Sequence, residues 1–262
     1  MVGITKTGIV HTNLLKADEA RAKSIEKLSS GKRINQASDD PAGLSATMAL
    51  ESQTRGLIQQ IGNSQDDISL LQTAEGALDS SGQVLQRINE LAVQASNGTL
   101  TDSDRQNIQF EVDQLVAQID QTAASATYNG RQILDGSLEL NMQTGETFSQ
   151  PAATSAALGV SGLSVATGAD ASRAISLSGG AIANVASQRA GIGAAVNASA
   201  SHVTSLQNEL VNVTAAQTRI EDVDVAAEMI NLSISSLQSK FAIKAFKIQD
   251  ETRQAVLNLL SD

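Results

Sequence analysis

From Leu57 onward, one row of residues seven apart reads Ser64, Leu71, Leu78, Leu85 and Ala92, and a second reads Ile61, Ile68, then Ala74, Ser81, Ile88 and Ala95. Two interleaved seven-residue rows are the seam of a long helix packed along other helices, because 3.5 residues per seam turn keeps the apolar edge facing its partner. The same spacing returns at Ile192, Val196, Ser199, Val203, Leu206, Leu210, Val213, Gln217 and Ile220, in steps of four and three. A helix over about 182–218 is expected, with a shorter one through Ile108, Val112, Leu115, Ile119 and Ala123.

The kind of apolar residue agrees with narrow seams. Aromatic residues make up 2% of the 262-residue chain, with no Trp and one Tyr, so burial falls to Leu, Ile, Val and Ala, which suit helix-helix contacts. There is no Cys, which excludes disulfides, thiolate nucleophiles and Cys-ligated metals. Two His, His11 and His202, accompany no Ser, Cys or carboxylate constellation, so no catalytic, cofactor or metal residue is assigned. A net charge of −10 opposes a nucleic-acid partner, which demands a basic face. No apolar run approaches the roughly 18 residues of a membrane span. The opening MVGITKTGIVHTNLLK lacks the pattern of a cleaved signal peptide.

Two charged breaks interrupt the helices. The first, LSSGKRINQASDDPAGL at 28–44, ends in a restart signal: Asp40 is a good N-cap, Pro41 fits the first helical position, and Asp39 favours the positive end of the dipole. The second is RIEDVD at 219–224. The breaks stand at mirror-image distances from the two ends, so antiparallel halves bring them to the same height. Asn129-Gly130 and Asp135-Gly136 are turn dipeptides, LELNMQTGETF suggests a small hairpin around Gly145, and 149–180 shows little periodicity.

Beyond the second break, Ile230, Ile234, Leu237, Phe241, Ile248 and Leu259 form a stripe, while Leu232, Ile243 and Phe246 fall outside it. A helix apolar on more than one side needs more than one partner. The N-terminal helix, with Leu14, Leu15, Ile25 and Leu28, also covers a broad face. The terminal helices can cover part of each other, and what remains calls for further copies of the chain; repeated contacts that do not close make a filament. A helical bundle whose terminal stripes close on each other remains the alternative at this point.

Several segments then resemble bacterial flagellin in the right order: LSSGKRINQASDDPAGL, QRINELAVQASNGT at 86–99, IQFE at 108–111, TYNGRQILDG at 127–136, RIEDVD and the terminal NLL. The resemblance implies a mainly α fold, a long antiparallel coiled-coil-like bundle with a small β-hairpin region and termini paired as an inner helical layer. Residues 1–40 plus 222–262 form that inner layer, 41–140 plus 181–221 an outer helical domain, and 141–180 a short variable surface segment. It implies a structural, non-enzymatic subunit that self-assembles into the extracellular flagellar filament for motility, exported without a cleaved signal. The alternatives are a hook-filament junction protein of the same family and a chemoreceptor-type signalling coiled coil. Implied partners are other subunits, the flagellar cap and hook-associated proteins, an export chaperone on 230–260, and a host Toll-like receptor. By the same match, Gln86, Arg87, Glu90, Leu91 and Glu111 are the receptor epitope or subunit contacts, with Asn89 at a position that is often basic.

Asn97, Asn197, Asn212 and Asn231 each begin an N-x-Ser/Thr triplet. Three of them lie in expected helices, and a Ser/Thr-rich chain produces such triplets by chance. O-linked sugars fit 149–180 better, because that segment is expected to face solvent.

Overall fold

The computed structural model describes the backbone of residues 2–261 and the side chains from residue 10 on, except those of 257 and 259–262. Five helices and two short antiparallel strand pairs follow one another: α1 (Val2–Ser30), α2 (Pro41–Ala95), α3 (Asp102–Ser125), β1 (Thr127–Tyr128), β2 (Arg131–Gln132), β3 (Glu139–Asn141), β4 (Thr147–Ser149), α4 (Gly168–Glu221) and α5 (Val225–Ser261). The fold is the mainly helical one that the heptad rows require. The chain divides into two units, Met1–Arg55 with Leu210–Asp262, and Gly56–Glu209.

In the second unit the core follows the heptad rows. Leu71, Leu78, Leu85 and Ile88 of α2, Val112 and Ile119 of α3, and Ile192 of α4 are all fully buried. Small residues let the helices approach closely; Ala74, Ala92, Ala95, Ala171 and Ala181 sit in the same cluster. Helix α3 starts on a capping box in which Thr101 Oγ1 accepts from the Asp104 amide while the Asp104 carboxylate accepts from Thr101. The strand pairs turn at Asn129-Gly130, both at positive φ, and at Gly145, φ 85°.

One stretch departs from the sequence reading. Residues 149–180 were expected to be irregular and solvent-facing, yet Gln150, Ala153, Ser155, Leu158, Val160, Leu163 and Val165 are buried, and α4 already begins at Gly168. The helix start is written in Thr167 and Asp170: Thr167 Oγ1 accepts from Asp170 N–H as an N-cap and donates to the Asp170 carboxylate. The loop is tied down by Asp120, which accepts from both Ser155 N–H and Oγ at 2.8 Å, and by Gln109, which donates to Leu163 O and accepts from Val165 N–H. Its buried residues stand singly, two or three apart, a spacing of neither a regular helix nor a regular strand.

In the first unit, the two charged breaks meet. Lys32 and Asp222 form an antiparallel β-bridge. Arg33 N–H donates to Glu221 O at 2.6 Å and Val223 N–H to Gly31 O at 3.0 Å. The Arg33 guanidinium donates to Ile220 O at the C-terminus of α4, where a cation complements the helix dipole. Asp224 then opens α5 by accepting from Ala226 and Ala227 N–H.

Candidate functional site

The seam between α1 and α5 is built of small side chains. Ala17 and Ser24 of α1 and Ser235 and Ser239 of α5 are buried there. The serines are satisfied: Ser24 Oγ donates to Glu228 at 2.5 Å and Ser239 Oγ to Asp18 at 2.9 Å. On α5 a buried or half-buried stripe runs through Glu228, Leu232, Ser235, Ser239 and Ala242, in steps of four and three, with Ser236 and Gln249 also half-buried. That stripe, and not the row of large residues, faces within the unit.

The large apolar row stands outside. Ile230, Ile234, Leu237, Phe241 and Ile248 are all at least half exposed, from 50% at Ile234 to 63% at Phe241. Met229, Ile243 and Phe246 add to this surface. On α1 the residues named from sequence separate. Leu15 and Ile25 are exposed, whereas Leu14 and Leu28 are half-buried on the stripe that carries Ala17 and Ser24. The side chain of Leu259 lies outside the described residues. A groove of about 550 Å³ opens along this pair of helices, lined by Val10, Asn13, Lys16 and Ala17 on one side and Gln238, Phe241, Ala242 and Ala245 on the other.

At the first break, Asp40 Oδ1 accepts from Gly43 N–H at 2.9 Å, one turn into α2 behind Pro41. Asp39 acts in the other direction, accepting from Asn35 and Gln36 N–H; those two donors hold its carboxyl below the usual range. Its side-chain bonds run back into the break, whose backbone it organises. Lys32 pairs with Glu221, which lowers the Glu221 pKa, with Gln217 adding a second hydrogen bond, and raises that of Lys32.

In the second unit, Arg87 bonds Glu111 of α3 at 2.9 and 3.2 Å and Glu90 at 3.1 Å, so Arg87, Glu90 and Glu111 form one exposed ionic group with Gln86 exposed beside Arg87 in sequence. Leu91 is not part of this surface. It is 2% exposed and lies in the core, because it follows Ile88 by three residues on the buried face of α2. Asn89 Nδ2 donates to Ser178 Oγ at 2.7 Å and ties α2 to α4. The sequence reading missed Phe110, 67% exposed and next to Glu111 in sequence. Its signal is an aromatic residue between the core positions Ile108 and Val112.

The model of the bacterial flagellin N-terminal helical region matches residues 5–139, and that of the C-terminal helical region matches 175–260. The chain belongs to the bacterial flagellin family. A flagellar filament 31.3 kDa core protein of Treponema maltophilum is 36% identical over 264 residues, covering 92% of each chain. A flagellin of Bacillus subtilis is 34% identical over 284 residues, covering 93% of each. The crystal structure of Bacillus cereus flagellin aligns with a TM-score of 0.46 and 30% identity, over 61% of this chain and 93% of that one. Both flagellin helical regions are present; α2 and α3 fall wholly within them, and α1, α4 and α5 for most of their length.

No helix among the described residues is long and apolar enough to cross a membrane, and they contain no cluster of three His, Cys, Asp or Glu residues able to hold a metal ion.

Proposed function

We propose that this flagellin is a structural subunit that self-assembles into the helical filament of the bacterial flagellum and serves motility from outside the cell. The observation that carries the reading is the division of α5 into two stripes: serine and alanine turned to α1, and Ile230, Ile234, Leu237, Phe241 and Ile248 turned outward. Burying such side chains is worth about 1.5–3 kcal/mol each, and one molecule leaves them at least half exposed. Other copies of the chain bury them, with Leu15 and Ile25 on the α1 side, so that 1–40 plus 222–262 become the inner layer and 41–140 plus 181–221 the outer one.

Charge supports this division. The unit of Met1–Arg55 and Leu210–Asp262 holds 13 Lys and Arg against 13 Asp and Glu, while Gly56–Glu209 holds 5 against 15, the whole net −10. The terminal unit can be packed against copies of itself without net like-charge repulsion.

The relatives named as filament core proteins favour this reading over a hook-filament junction protein or a chemoreceptor-type coiled coil. Before assembly the same α5 surface is the place for an export chaperone, and the assembled ends meet the cap and hook-associated proteins. The Gln86, Arg87, Glu90 and Glu111 group is the surface offered to a host Toll-like receptor or to a neighbouring subunit.

The test is Ile234→Asp with Phe241→Asp. Circular dichroism of the monomer is expected to match the parent, and seeded polymerisation followed by negative-stain microscopy to yield no filaments. Normal filaments from this variant would remove the α5 stripe from the assembly site.

A further inference from the structure

Of the four N-x-Ser/Thr triplets, the structure separates one from the rest. Asn197 and Asn212 lie in α4 and Asn231 in α5. In a helix, residues two apart point roughly 200° from each other around the axis, so the amide and the hydroxyl of the triplet cannot be read from one side. At Asn197 the hydroxyl is withdrawn altogether: Ser199 is 2% exposed and its Oγ contacts Met142 Sδ at 3.7 Å.

Asn97 lies in the connection between α2 and α3, and Asn97, Gly98 and Thr99 are all exposed. Its Oδ1 accepts from both Thr99 N–H at 3.1 Å and Thr99 Oγ1 at 3.0 Å. Amide and hydroxyl thus stand on the same side of the turn. The backbone is fixed beneath them: Asn97 O accepts from Leu100 N–H at 3.2 Å and from the Arg105 guanidinium at 3.2 Å. Asn97 Nδ2 donates to nothing among the described residues and is left to solvent. Gly98 has open space where a side chain would stand, so no bulk crowds the central residue.

We propose that Asn97 is an acceptor for an N-linked sugar, delivered from a nucleoside-diphosphate sugar by a glycosyltransferase that reads the amide and the Thr99 hydroxyl together. Asn97 Nδ2 attacks the sugar C1 and the N–C1 bond forms. The C1–O bond to the diphosphate breaks, the nucleoside diphosphate leaves, and the amide proton passes to a base of the transferase. The modified turn projects the sugar to solvent with the core contacts of Leu91, Ala92 and Ala95 untouched.

The experiment treats purified full-length protein with a soluble bacterial N-glycosyltransferase and UDP-glucose, then maps tryptic peptides by mass spectrometry with fragmentation. One hexose is expected on Asn97 in peptide 88–105, lost in Asn97→Gln and in Thr99→Ala and kept in Thr99→Ser. The three helical asparagines are expected to accept sugar only after the chain is denatured. Circular dichroism of each variant shows whether it is folded, and Asn97→Gln leaves Thr99 in place if Thr99→Ala disturbs the turn. A bare Asn97 in the folded protein, hexose on Ser or Thr instead, or equal modification of the helical triplets in the folded state would each overturn the proposal.

Discussion

Ser239 Oγ donates to the Asp18 carboxylate at 2.9 Å across the seam between α5 and α1, and Ser239 is 6% exposed. A serine that small sets how closely the two helices approach, and the bond to Asp18 removes the desolvation cost of its hydroxyl. Ser239→Leu places a branched side chain into a seam without room for it and leaves Asp18 unpartnered there. Overpacking of this kind costs about 1–3 kcal/mol. Thermal melting followed by circular dichroism is expected to show that loss, and sedimentation of seeded polymer should fall with it.

Gly43 reverses the usual rule for glycine in a helix. A Cβ at this position would meet Asp40 Oδ2 at 2.5 Å and Ile34 Cδ1 at 2.6 Å. Asp40 is the carboxylate that caps α2 and Ile34 is 3% exposed, so neither yields cheaply. Gly43→Ala is expected to destabilise by about 1–3 kcal/mol. Gly76, in the same helix, has no neighbour within 4 Å of its would-be Cβ, and Gly76→Ala is expected to stabilise by about 0.5–1 kcal/mol. Denaturant melts of the two variants should move in opposite directions.

Arg87 and Leu91 stand one turn apart on α2 and belong to different environments. Arg87 is half exposed, and exposed ion pairs such as those with Glu90 and Glu111 contribute about 0–1 kcal/mol. Leu91→Ala opens a cavity in the core and is expected to cost about 2–5 kcal/mol. Arg87→Ala should melt close to the parent while altering binding to whatever contacts this surface; Leu91→Ala should do the reverse. Equal destabilisation by both would mean that the ionic group is structural.

The helices were legible in the sequence because the rows from Leu57 to Ala95 and from Ile192 to Ile220 repeat often enough to fix both period and face. The meeting of the two breaks was legible for a related reason, since their symmetric placement leaves an antiparallel chain little choice. The assembly surface was only half legible. The eye follows Ile230, Ile234 and Phe241 as a seam, yet the seam that one chain completes runs through Ser235 and Ser239, where size and hydrogen bonding matter more than hydropathy. Leu91 was misplaced because a motif names neighbours in sequence without saying which face they share. The 149–167 loop was missed because Asp120 and Gln109 hold it from another element, and no local pattern records a long-range bond.

The clasp between the breaks carries its own pH dependence. The Lys32 ammonium, and then Gln217, hold the Glu221 carboxyl below its usual 4.5, so its contribution is complete above that value and is lost as pH falls through it toward the lower folded value. The Glu221 carboxylate raises Lys32 above its usual 10.5; that contribution is present below 10.5 and fades as pH climbs through the raised folded value. Between these limits the bonds from Arg33 N–H to Glu221 O and from Val223 N–H to Gly31 O are kept. Hydrogen exchange at the Arg33 and Val223 amides, corrected for its intrinsic pH dependence, is expected to show constant protection near neutrality and loss on acidification below the usual carboxylate range. Glu221→Gln removes the charge and is expected to lower protection at neutral pH while flattening its acid limb. An unchanged acid limb in that variant would assign the acid sensitivity of the clasp to carboxyls other than Glu221.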